Sequence, residues 1–340
     1  MERERRRPLG VGLRREDQRA RLYELLSSIQ TPSNRLIGRA PNEQEAATLR
    51  AYETFLRLFE TILAERRSTV LPKQATVFTT NYDVFLDVAA GACPGVALAA
   101  GFDGATSMDG AAEYSSGRFF RTTYDTGNLY DYRVELPSIN LVKLHGCLSW
   151  QRDGERIVRR AVNCELLDDP GEIARVEAFV GRYAIVLPQA DKLRATVLDR
   201  TYYKLLRLYA NALDRANVLL VVFGFSFRDE HILHITRRAL KNPTLRLIVF
   251  AHDGEDRQFF EQSFVANNNA LIVAAAERGL VDFERFNAVI GEAVPKPEER
   301  PSSNVFWRSC VRRTPTSWPA AVNRWSSSPT AWAASSYTIP

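Results

Sequence analysis

The 340-residue chain has four cysteines, Cys93, Cys147, Cys164 and Cys310, and no two of them form a CxxC pair. That spacing gives neither a zinc ribbon nor a disulfide framework, so reduced and mostly buried thiols are expected. Apolar runs long enough to span a bilayer are also missing, and the first thirty residues lack the basic-then-apolar order of a secretory signal. The expected location is cytoplasmic, with no membrane partner.

Acidic residues are absent from 301–340, which hold four arginines, while Met1–Arg7 carries four arginines against Glu2 and Glu4. The formal net charge of +5 therefore sits at the two ends, and the body of the chain is close to neutral. Such a distribution argues against direct nucleic-acid binding by a folded face. Residues 301–340 also hold four of the five tryptophans amid serine, proline and alanine, without an apolar period. They read as an irregular tail of the kind a shifted frame or a non-native extension produces, in preference to a tryptophan-rich binding tail.

What is present is an α/β pattern. Glu16–Ile29 can form a short helix ending before a loop-like Thr31-Pro32-Ser33-Asn34. Leu49, Tyr52, Leu56, Phe59 and Leu63 recur at helical spacing and predict a core-facing helix. Ala75–Thr80 is an uncharged, β-branched and aromatic run that reads as a buried strand. Residues 91–137 are rich in glycine, tyrosine and aspartate without a sustained period, as in an inserted subdomain. Strands are expected at Ile139–Leu144, Tyr183–Leu187, Val218–Phe223 and Leu245–Phe250, with helices at Lys192–Arg215 and Asp229–Leu240. Alternation of this kind predicts a Rossmann-like parallel sheet with helices on both faces.

In such a sheet, ligands gather beyond the carboxyl ends of the strands. Three strand ends carry polar residues there: Thr79-Thr80-Asn81-Tyr82-Asp83, Lys143-Leu144-His145-Gly146, and Gly224-Phe225-Ser226-Phe227-Arg228-Asp229. Each has a structural alternative. Asn81, Asp83, Ser226 and Asp229 suit helix caps, and His145 suits a hydrogen-bonded core position. His231 and His234, three apart on one helix face, are better read as structural than as metal ligands, and no metal is expected.

The same three segments, with Gly146-Cys147-Leu148-Ser149-Trp150 after the second and Glu230-His231-Ile232 after the third, resemble the sirtuin-like (SIR2-like) NADase domains of prokaryotic antiphage defence proteins. Pro188, Lys192 and the helix from Tyr202 to Leu213 fall where that family places them. The similarity spans roughly 70–255. It implies a domain at 70–300 with the insertion at 91–137, after an N-terminal helical segment at 1–69 and before the tail at 301–340.

The resemblance further implies NAD as substrate. Asn81 would orient the nicotinamide ribose or the attacking water, and His145 would engage ribose hydroxyls. Asp83 would meet the carboxamide, while Gly224 and Ser226 would lie on the adenosine side. Thr79, Thr80 and Gly146 complete the expected binding set. Without zinc-binding cysteine pairs, NAD hydrolysis is favoured over protein deacylation. A catalytically silent NAD or ADP-ribose sensor is the other reading. Homo-oligomers and a HerA-type ATPase partner are known in that family and are expectations here. The family's first strand and glycine loop have no counterpart, since Gly10-Val11-Gly12 does not follow an apolar strand. The expectation is a chain that begins after that unit.

Overall fold

The computed structural model describes residues 24, 28–66, 71–102, 111–125, 133–159, 181–185, 200–275, 280–292, 294 and 332–333. In chain order the elements are α1 (Glu43–Ala64), β1 (Gln74–Thr79), α2 (Phe85–Gly91), β2 (Ala97–Ala99), β3 (Ala112–Glu113), β4 (Tyr124–Asp125), β5 (Val134–Glu135), β6 (Ser138–Lys143), β7 (Gly146–Asp153) and β8 (Arg156–Arg159). They continue with β9 (Tyr183–Ile185), α3 (Arg200–Leu213), β10 (Leu219–Phe223), α4 (Glu230–Ala239), β11 (Arg246–Phe250), α5 (Gly254–Phe264), β12 (Ala270–Val273), α6 (Phe283–Glu292) and β13 (Trp332–Ala333).

Parallel pairing dominates. One set runs in the order β13-β1-β6-β2 and the other β10-β11-β12, all parallel within each set. β13 lies beside β10 as well as β1 and so bridges the two sets.

The period of two along the strands sorts side chains onto opposite faces. Val77, Ile139, Leu141, Val221 and Phe223 join Leu56, Phe59, Phe85 and Phe286 in one core. Phe78, Val142, Leu144, Leu220 and Val222 join Tyr202, Tyr209, Ile232 and Phe260 in the other. Helices α1, α2 and α6 thus cover one face, and α3, α4 and α5 cover the other. Both faces being dry explains why these strands are nearly continuous apolar runs.

The start of α1 shows how sequence fixes an element. The Asn42 side chain accepts the Glu45 N–H at 2.8 Å, and the Glu45 carboxylate accepts the Asn42 N–H at 2.9 Å. This reciprocal box satisfies two donors that the first helical turn leaves over.

Several expectations differ from the structure. Thr31-Pro32-Ser33-Asn34 lies in a helical stretch at 28–37. Gln30, Ser33 and Leu36 are buried there, so packing overrides the turn-like composition. Residues 91–137 are not wholly an insertion, because β2 pairs with β6 in the main sheet. Tyr183–Ile185 is a strand, but it pairs antiparallel with β7 in a small second sheet, β3-β8-β7-β9. The β7–β8 hairpin had no sequence expectation. Its first strand starts as the chain turns at His145-Gly146, and the hairpin closes at Gly154-Glu155, where Gly154 has φ +60°.

Within the tail, Trp332–Ala333 forms a strand on β1. Backbone pairing needs no particular side chains, which is why composition hid it. Most of Glu16–Ile29, residues 192–199 of the expected Lys192 helix, and Pro188 lie outside the described residues. Among the described residues no helix is long and apolar enough to cross a membrane.

Candidate active site

The site is set by backbone register. Thr79, the last residue of β1, stands opposite Lys143, the last of β6. The Leu144 N–H donates to the Thr79 carbonyl at 2.8 Å, one step past that rung. Asn81 and His145 each follow the rung by two residues, so one pairing puts an amide and an imidazole at neighbouring strand ends.

The turn after β1 is made by side chains. The Thr79 hydroxyl accepts the Asn81 N–H at 3.0 Å, and the Asp83 carboxylate accepts the Phe85 N–H at 3.0 Å at the entry to α2. Lys143 anchors this turn from beneath. Its buried ammonium donates to the Asp83 carbonyl, pairs with the Asp87 carboxylate at 2.7 Å and lies 3.0 Å from the Cys147 sulfur. Burial would depress the Lys143 pKa, but the carboxylates of Asp87 and Asp83 and the Cys147 sulfur together hold it above the ordinary lysine value. Burial pushes the Asp83 carboxyl up, against the opposing pull of Lys143.

His145 connects to the third strand end. Its Nε2 lies 3.2 Å from Oδ2 of Asp229, and both side chains are mostly buried. The Asp229 Oδ1 accepts N–H groups of His231 at 3.1 Å and Ile232 at 3.3 Å, capping α4. Tyr82 lies nearly parallel to the imidazole, with ring centres 6.4 Å apart. Its hydroxyl is pushed well above the ordinary value by burial and then by the Asp229 charge, so it stays protonated.

Beside this group a small, mostly apolar gap lies between the ends of β1 and β10. Phe78, Thr80, Leu144, Tyr209, Val222, Phe225, Phe227 and Ile232 line it. The β10–α4 turn that forms one wall has positive φ at Gly224 (62°) and at Phe227 (53°). Glycine adopts that conformation freely. Phe227 is held in it by its ring, which packs edge-on against Phe225, Phe260 and Phe264.

The structure therefore brings Asn81, Asp83 and His145 to adjoining strand ends, and Thr80 and Gly224 to the gap or its wall. Ser226 sits half-buried on the same turn. Thr79 and Gly146 have structural uses. The Thr79 hydroxyl shapes the turn, and Gly146 has φ +81° where a Cβ would lie 2.0 Å from the Ala184 carbonyl oxygen. Its glycine is required by the β7–β9 pairing.

Sequence reasoning missed Lys143, Asp87, Tyr82 and the link from Asp229 to His145. Lys143 carried a signal, being the single charge in an apolar strand. Among the described residues no group of three or more His, Cys, Asp or Glu could hold a metal ion.

A doubly covered parallel sheet with its polar residues beyond the strand ends defines a Rossmann-like, ligand-binding α/β domain. Residues 75–272 match the SIR2-like domain, and the chain belongs to that family. The shared domain brings a sirtuin-like, NAD-related function. No curated protein matches the chain.

Proposed function

We propose that this chain is an NAD glycohydrolase that splits the bond between nicotinamide and ribose. The observation that carries the reading is the β1–β6 register, which sets Asn81 and His145 two residues beyond one rung in a domain whose family uses NAD. The residues present fit the nicotinamide-ribose end of the dinucleotide. An amide can orient the ribose or a water, and an imidazole can accept a proton from either.

The reaction consumes NAD and water and yields nicotinamide, ADP-ribose and a proton. As the C–N bond breaks, its electron pair leaves with the nicotinamide nitrogen and the ribose becomes oxocarbenium-like. Water then adds to that carbon and gives up its proton. Such a path depends on placement and on charge more than on a strong nucleophile. Asn81 would hold the water and ribose in line, His145 would take the proton, and Asp83 would engage the carboxamide.

Hydrolysis is preferred to protein deacylation because none of the four cysteines is paired for zinc, and Cys93 and Cys147 are buried free thiols. By its resemblance to defence proteins, the activity would deplete NAD during infection, as a homo-oligomer or with a partner ATPase. Nicotinamide release, followed by chromatography on the purified chain and on any assembled complex, tests the reading. Asn81→Ala and His145→Ala should each lower it at least about 100-fold with an unchanged circular dichroism spectrum. Full turnover in both variants would remove their assigned roles, and no release from wild type in any assembly would remove the reading.

A further inference from the structure

Asp229 uses its two carboxylate oxygens for two purposes. Oδ1 caps α4 by accepting the N–H groups of His231 and Ile232, and Oδ2 lies 3.2 Å from His145 Nε2. A cap alone needs one oxygen, and Ser, Thr or Asn supply it as well as Asp does. The second oxygen reaches from one sheet end to another, from the β10–α4 turn to the second residue after β6.

We propose that Asp229 is the positioning residue for His145, and this rests on the reading of His145 as the proton acceptor in NAD hydrolysis. An anionic oxygen facing Nε2 makes that nitrogen the donor, so neutral His145 carries its proton on Nε2 and presents Nδ1 as the acceptor. The N-terminus of α4 keeps the carboxylate charged by placing two N–H donors and the positive end of the helix dipole on it. Tyr82 bounds the imidazole from the turn after β1, and its protonated hydroxyl brings no competing charge. Ring plane and tautomer of His145 are thereby fixed by a residue that does not touch the reacting atoms.

Asp229→Asn separates the two purposes. The amide oxygen can still accept from His231 and Ile232, so α4 remains capped. The amide nitrogen then faces Nε2 as a donor, which drives the imidazole to the other tautomer. The experiment measures the ¹⁵N shifts of the His145 ring, assigned with His145→Gln, together with thermal unfolding and nicotinamide release. The expected result is a protonated Nε2 in wild type, a protonated Nδ1 in Asp229→Asn, and unfolding midpoints that agree within about 2 °C. With it, kcat should fall roughly 100-fold or more at nearly constant KM.

Asp229→Ala should lose the cap as well and unfold at lower temperature. An unchanged His145 tautomer in folded Asp229→Asn overturns the proposal. A switched tautomer in a protein whose wild type releases no nicotinamide supports the positioning role and rejects the glycohydrolase reading alone.

Discussion

Lys143 places its ammonium 2.7 Å from the Asp87 carboxylate, joining the last residue of β6 to helix α2 through a side chain that is 4% exposed. Replacing it with methionine keeps the volume but leaves Asp87 and the Asp83 carbonyl without their cation. Breaking one side of such a buried pair costs about 3 kcal/mol, which urea denaturation of Lys143→Met should show. The Lys143 pKa is raised on folding, so this stabilisation is complete below about pH 10 and fades only as pH climbs through the raised value. A variant as stable as wild type at pH 7 would mean the pair contributes nothing.

Gly146→Ala tests the link between the site and the small antiparallel sheet. The added methyl meets the Ala184 carbonyl at 2.0 Å on a backbone with φ +81°, and backbone cannot swing aside as a side chain can. A loss of about 3 kcal/mol or more is expected from strain and lost β7–β9 pairing. A loss under about 1 kcal/mol would mean that β9 moves away at little cost.

Asp83→Asn should separate binding from chemistry. The amide oxygen can still accept the Phe85 N–H, so the turn into α2 persists. If the carboxyl meets the carboxamide of NAD, KM should rise roughly tenfold with kcat within about threefold, since this contact exists in ground and transition states alike. A loss confined to kcat would place Asp83 with the reacting atoms.

At the start of α1, Glu45 titrates below the ordinary glutamate range because Arg35 donates to it, against burial and with help from the Asn42 N–H. A depressed carboxylate pKa adds stability that is present above the unfolded value near 4.3 and is lost as pH falls through the folded one. Glu45→Gln should therefore melt earlier than wild type at pH 7. The two melting curves should converge as pH drops below about 4. A gap that stays constant down to pH 2 would assign the effect to packing.

Strands β1, β6, β10 and β11 were legible because both their faces are largely buried, leaving mostly apolar runs whose charged residues stand only at the ends. The places of Asn81 and His145 just past two strand ends were legible for the same reason. The hairpin after Gly146 has a turn signal in Asp153-Gly154, but its first strand follows β6 after only two residues and so merges with it in the sequence. The second use of Asp229 was not legible. Its cap is a local relation over three residues and shows in the sequence, whereas its approach to His145 spans two strand ends and depends on how the sheet is ordered. Lys143 stood out as a charge in a buried strand, but its partners Asp87 and Cys147 could be named only once the turns were placed.

The rung between Thr79 and Lys143 is made of peptide groups, so it works as a ruler that ignores side chains. The apolar residues of β1 and β6 could be exchanged wholesale for others of similar volume without altering the spacing from Asn81 to His145. A one-residue insertion in either strand would shift that strand's side chains to the opposite face of the sheet and separate the pair. Tolerance to substitution and intolerance to length change are thus two results of one backbone pairing. A library of indels and point changes across these twelve strand positions would read them out separately.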